Sequence, residues 1–404
     1  MFGNSVWYEM KTLILILLLV PNAARAQTPA VGMFERHQDV GTVLTAGTGV
    51  YDAAHQTYTV SGSGDNVWAT ADAFHFVWKK VSGDVRLSAA IASISEGGDP
   101  HRKAMLMFRQ SLDADSAYAD IAVHGEGLTS LQARELKGAA THEVQSNLSK
   151  PTRVAIEKRG NYFYALVGVG DGPLERSGGS MRVPFEGTFY VGLGVCAHNK
   201  DATAQVAFSN VAIEPVPPAR ATDLTEFSTL ETVTVQSTDR RVVLVSPQRL
   251  EAPTWSREGD LLQFKRDGKV YRVAAAGGKP EPTDADSTVR NDTSGEYFTS
   301  NRSGSMQVWR LLPDGTQEQV TNDEFSNWYP HLSPDGRRLV MLSCDGRLKG
   351  PPHNEDVMLR IFTLADKRVT VLAKLIGGQG TIDAPSWSPD GRRLSFVSYQ
   401  LLPK

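Results

Sequence analysis

Three stretches bring together residues able to bind a polar ligand: HRKAMLMFRQ from His101, SAYADIAVH from Ser116 and LTSLQARE from Leu128. Successive side chains of a strand point to opposite faces. That alternation sets Lys103, Met105, Met107 and Arg109 against Ala104, Leu106 and Phe108. It likewise sets Tyr118, Asp120 and His124 against Ala117, Ala119, Ile121 and Val123, and Ser130, Gln132 and Arg134 against Leu131 and Ala133. If the three strands are neighbours, Lys103, Arg109, Tyr118, Asp120, His124, Gln132 and Arg134 form one solvent-facing patch of donors, acceptors and an aromatic ring. A glycan suits such a patch, because its hydroxyls need hydrogen-bond partners and its apolar face needs a ring. The plain alternative is a face that is polar only because it is wet. Asp120 with Glu135 is also the raw material of a glycosidase pair, which needs carboxylates roughly 5–10 Å apart.

The segments that must hold this patch read as strands throughout. From about residue 32 to residue 214, short alternating runs are broken by Gly, Asp and Ser, with little helical periodicity, which predicts an all-β jelly roll or sandwich over 27–214. Residues 215–220, PVPPAR, crowd three prolines into four positions and predict a linker over 215–228. Beyond it, APTWSREGDLLQF, YPHLSPDGRRLVML and APSWSPDGRRLSFV repeat one motif, with a weaker copy from Asp292. The turn glycines Gly259, Gly295, Gly336 and Gly391 stand 36, 41 and 55 residues apart. A period near forty in a strand-rich segment predicts propeller blades, here four, over 229–404. In each turn Pro presets its dihedral, Asp bonds the next amides and Gly takes the positive φ. Trp255 and Trp387 are expected to wedge between blades. The strands TVTVQ and RVVLV, within 232–245, are expected to pair with 392–399 and close the ring. The alternative is an open arc that oligomerises through its free edges.

The SPDGRR turns, the RLLPDGTQEQVTNDE hairpin and the closing WSPDGRRLSFVSY resemble the propeller of TolB-like periplasmic proteins, related to the Tol biopolymer-transport component. The resemblance covers roughly 230–404 and implies a propeller of six blades, two more than can be counted here. It implies docking to an envelope protein. The first half is similar, less closely, to concanavalin-like jelly rolls of secreted bacterial proteins, which implies only the fold.

Around the blades, Asn327, Trp328, His331, His353, Asn354, Gln379 and Asp383 are expected to line one channel mouth, although His331 is better explained by packing between blades. A lysine followed by TLILILLLV and a small-residue site at Ala24 and Ala26 predicts a cleaved export signal over 1–26, with Met10 a plausible start. The protein is then periplasmic or secreted, with no membrane span after cleavage. A net charge of -3 argues against nucleic acid as a partner. Cys196 and Cys344 read as buried free thiols, and no metal or cofactor motif is present. There is no G-x-S-x-G elbow and no second hydrolase domain. The sequence thus predicts a non-catalytic exported binding or scaffold protein for glycan or envelope-protein partners. A carbohydrate-active enzyme is the alternative.

Overall fold

The computed structural model describes residues 30–218, 223–283, 296–382, 384 and 386–403; the expected signal and the mature start at Gln27 lie outside them. The described chain is all-β and contains no α-helix.

Two large sheets face one another. The ten-stranded sheet begins with Arg36–Val40, Phe74–Ser82, Thr188–Cys196, Lys103–Arg109, Tyr118–His124, Thr129–Arg134 and His142–Gln145. The eight-stranded sheet includes Tyr162–Gly168, Arg153–Arg159, Val85–Ile94, Asn199–Pro215 and Thr57–Gly64. Alternate residues of both sheets meet in one core, where Leu106, Phe108, Ile121 and Leu193 pack with Leu87, Ile156, Phe163 and Phe208. Burying side chains of this size stabilises by roughly 1.5–3 kcal/mol each. The apolar half of the predicted alternation is therefore in place.

Among the described residues, the second half contains three small sheets. Leu250–Trp255 leads the first, Tyr297–Ser300 the second and Phe325–Leu332 the third. The repeated turns have the predicted chemistry. Asp335 Oδ1 accepts from the Arg337 amide at 3.1 Å and Asp390 Oδ1 from the Arg392 amide at 3.0 Å. Gly336 and Gly391 have φ of 69° and 67°. Both tryptophans bridge neighbouring sheets: Trp255 Nε1 donates to Ser386 O and Trp387 Nε1 to His331 O, each at 3.0 Å.

The pairing expected near the chain's end is present. Leu224–Thr234 runs antiparallel to Arg393–Pro403, with Leu230 opposite Val397, and Arg240–Ser246 pairs with Leu224–Thr234 on its other side. The first of these strands starts at Leu224, so the predicted linker is shorter than 215–228. The outer edge of Arg240–Ser246 then pairs in parallel with His142–Gln145, Val144 opposite Arg240 and Gln145 opposite Arg241. This contact carries the first half's sheet into the second half, making the tenth strand Arg393–Pro403. The boundary between the halves is a shared sheet.

Separate apolar clusters join the second small sheet to the third, the third to the closing strands, and the closing strands to the first. Among the described residues no buried apolar cluster contains both the first and the second small sheet.

Candidate functional site

The predicted patch is assembled, and it is covered. Registers Met107 to Asp120, Arg109 to Tyr118, Asp120 to Gln132 and Tyr118 to Arg134 place the seven candidates on the face opposite the core. All seven are buried, which corrects the expectation of a solvent-facing surface. The cover is a strap running from Gly64 to Ala73 that includes the short hairpin Val67–Trp68 with Ala71–Asp72. Asp72 ties it down, accepting from Arg109 Nη1 at 2.6 Å and from Arg134 Nη2 at 2.7 Å. Lys103 Nζ donates to Asn66 Oδ1 at 2.9 Å and to Val67 O at 2.7 Å. Arg134 also reaches Trp68 O and Ala69 O. Tyr118 lies beneath both guanidinium groups, at 5.6 Å from Arg109 and 4.9 Å from Arg134, and its hydroxyl meets Thr141 Oγ1 at 3.1 Å. Met105 and Met107 join Phe74, Phe76 and Trp78 in a second apolar cluster under the same cover. These charges avoid solvent because the strap brings its own carboxylate and carbonyls to them.

Two groups in this network lack partners. Both carboxyl oxygens of Asp120, at 0% exposure, and Nε2 of His124, at 5%, make no hydrogen bond. Burial is the main cause that pushes the Asp120 carboxyl well above the ordinary carboxylate range, against the opposing attraction of Lys103. Burial also lowers Lys103. It takes His124 down to about 3, with Lys103 assisting, so this imidazole is neutral. A buried polar group left unpaired costs about 1–3 kcal/mol. Glu135 does not join Asp120 as a catalytic pair. It accepts from Arg182 Nη1 at 2.8 Å and Lys374 Nζ at 2.5 Å, at the junction of the halves.

The expected channel mouth divides into two groups. Asn327 is fully buried, donating to Gln307 Oε1 and accepting from Ser343 and Arg360; Trp328 packs in the third sheet's core, and His331 Nε2 donates to Ile382 O at 2.6 Å. Asn327 and His331 thus tie neighbouring segments of the second half together. On the other side, Asn354 donates to Glu226 at 2.8 Å, the Gln379 amide binds Pro352 O, and the Gln379 carbonyl accepts from Arg249. His353 is exposed nearby, and Asp383 lies outside the described residues.

The junction itself was missed from sequence. The turn RSGGSM, residues 176–181, docks the first half onto the closing strands. Gly178 and Gly179 have φ of 87° and 65°, and a Cβ on them would lie 2.7 Å from Val245 and 2.8 Å from Val144. Gln400 Nε2 donates to Gly179 O at 2.6 Å, and Arg240 donates to Ser180 O at 2.8 Å and pairs with Glu231 at 2.7 Å. Two consecutive glycines near a charged partner were the available signal, but nothing in sequence named the surface they meet. Beside this junction lies a cleft of about 560 Å³ lined by Tyr162 and Arg182 of the first half and by Phe325, Asp345, Asp356 and Met358 of the second. Tyr162 donates to Asp356 across it.

Cys196 and Cys344 are buried free thiols, as expected, and burial pushes Cys196 up to about 11. Among the described residues no three histidine, cysteine or carboxylate side chains are gathered closely enough to hold a metal ion as they stand. No helix among them is long and apolar enough to cross a membrane.

No protein-family model matches the chain. An uncharacterised protein of Agrobacterium fabrum is 39% identical over 104 residues, which are 26% of this chain and 36% of that one. A TolB homolog of Chlorobium luteolum is 28% identical over 104 residues, 26% of this chain and 21% of that one. The chain thus spans about a third and about a fifth of these relatives. A solved structure of a TolB candidate from Agrobacterium tumefaciens is 24% identical, covering 44% of this chain and 99% of the other, with a TM-score of 0.35. About a quarter of this all-β chain is therefore TolB-like in sequence.

Proposed function

We propose that the protein is an exported, non-catalytic binding protein of the bacterial cell envelope, in the periplasm or outside the cell. Its first half is a jelly roll that takes a glycan, and its second is a TolB-like propeller of four blades, reduced from six, that serves as a scaffold. The observation that carries this reading is the Asp120 carboxyl, fully buried and without a partner on a face where almost every other polar group is satisfied. A ligand hydroxyl offers the donor that Asp120 lacks, and Trp78, half-covered Tyr190 and the methionines supply apolar contact for a sugar ring. Entry requires the Gly64–Ala73 strap to lift.

The test is a glycan array followed by calorimetry on the best ligand. The reading predicts binding without turnover, weakened at least tenfold by Asp120→Asn. Turnover of the ligand abolished by Asp120→Asn points instead to a carbohydrate-active enzyme. A blank array alongside specific protein capture in pull-downs from envelope extracts leaves a protein scaffold only.

A further inference from the structure

We propose that the cleft where the two halves meet binds a short zwitterionic peptide with apolar side chains and free termini. Strand register decides what faces it. Phe325 lies opposite Asp345, Ser343 opposite Met358 and Met358 opposite Lys374, so these residues share one face of the third small sheet. Asp356, two residues from Met358, shares it too. The facing wall comes from the first half, where Tyr162 pairs with Arg182 on the neighbouring strand. The space between them is about 560 Å³. Ligand pockets span roughly 300–1,000 Å³ and favour junctions of this kind.

The charges of the cleft are unequal at its two ends. On one side Arg182 Nη1 and Lys374 Nζ share a single carboxylate, donating to Glu135 at 2.8 Å and 2.5 Å. One positive charge is left over there. On the other side the balance is reversed: the exposed Glu324 carboxylate makes no hydrogen bond or ion pair among the described residues. Asp356 accepts from the Tyr162 hydroxyl and pairs with no cation among them. Burial, with Asp356 assisting, raises the Tyr162 hydroxyl above its ordinary range, so it stays a neutral donor. Asp345 and Arg347 cancel, with Arg347 Nε donating to Asp345 Oδ1 at 2.9 Å. A ligand ammonium supplies the charge missing at Glu324 and Asp356, and a ligand carboxylate supplies the one missing beside Arg182 and Lys374.

Between the two ends the lining is apolar. Half-buried Phe325 and Met358 lie beside buried Cys344 and Val357, a surface suited to aliphatic or aromatic side chains. Spacing then sets the ligand's length. Glu324 adjoins Phe325–Leu332, three strands from Lys374, which is about 14 Å at roughly 4.8 Å per strand. Extended residues advance about 3.4 Å each, so roughly two to four of them reach from one end toward the other.

A panel of di-, tri- and tetrapeptides of leucine, valine and phenylalanine would be screened by ligand-observed NMR, and the best binder measured by calorimetry. One peptide per chain is expected, with affinity reduced at least tenfold by N-acetylation or by C-terminal amidation. Glu324→Gln reduces affinity for the free peptide at least threefold and leaves that for the acetylated one unchanged; Lys374→Gln does the same for the free and the amidated peptide. Glu318→Gln, an exposed position on the second small sheet, changes nothing. Because Glu324 makes no bond of its own, its variant decides the matter if Lys374→Gln loosens the junction. A blank panel, capped peptides that bind as well as free ones, or affinity unchanged in these two cleft variants overturns the site. Glycan binding beneath the strap is measured separately, so the failure of one reading leaves the other standing.

Discussion

At the scale of single residues, two aspartates under the same strap have opposite roles. Asp72 neutralises two fully buried guanidinium groups. Removing one partner of a buried ion pair strands the other, at about 3–5 kcal/mol. Asp72→Ala strands two, so a loss at the upper end of that range is expected in urea unfolding, and a loss under 1 kcal/mol would show that the strap does not hold these charges. Asp120 has no such partner. Its folded-state pKa is raised, so its contribution to stability is fully present below the unfolded value near 3.8 and declines as pH rises. Asp120→Asn does not titrate there, and it should therefore stabilise the protein at pH 7.5 while changing little at pH 3.5. Thermal melts at the two pH values check the sign, and a variant equally affected at both removes the charge-burial account. The residue pattern made this face legible: alternation alone separated Asp120 and Arg134 from Leu106 and Ile121. Its cover was not legible, because Asn66, Val67 and Asp72 lie in a short irregular segment whose destination depends on tertiary structure.

At the scale of elements, the repeated turns were the easiest part to read, since Ser-Pro-Asp-Gly determines its own local conformation whatever surrounds it. The closing pair of strands followed from a physical need, because unpaired edges invite association. Deleting residues 232–245 removes the end of that pairing opposite Arg393, Leu394 and Ser395, together with nearly all of Arg240–Ser246, and so bares the outer edge of Leu224–Thr234. The truncated protein is expected to be insoluble or oligomeric by light scattering, and a soluble monomer would show that the closing strands are dispensable. The docking turn was illegible for the opposite reason. Gly178 takes a positive φ and approaches Val245 and Thr229, so the constraint comes from a partner surface more than fifty residues away. Gly178→Ala both strains the backbone, at roughly 1–2 kcal/mol, and forces the strands apart. Its cost should exceed that of Gly83→Ala, where the positive φ is the same kind of strain but a Cβ meets nothing. Equal melting temperatures for the two variants would mean that the contact with the closing strands adds no stability.

At the scale of the whole molecule, composition and rhythm divide the chain at its prolines, and the structure crosses that division with a continuous sheet. His142–Gln145 belongs to the first half and Arg240–Ser246 to the second, yet their backbones pair in parallel. Around that pairing, the Arg240–Glu231 ion pair is buried, Gln400 reaches Gly179 O, and Lys374 meets Glu135. Two domains on a flexible linker lose their folds independently, whereas elements sharing a sheet and a buried ion pair lose stability together. The intact protein is therefore expected to give one calorimetric transition. Glu231→Gln should separate it into two, because it leaves Arg240 buried without its countercharge at the point where the halves join. Two resolved transitions in the unaltered protein would make the shared sheet too weak to couple the halves. A single transition that survives Glu231→Gln would assign the coupling to the apolar contacts of Gly178 and Val245 and away from the ion pair.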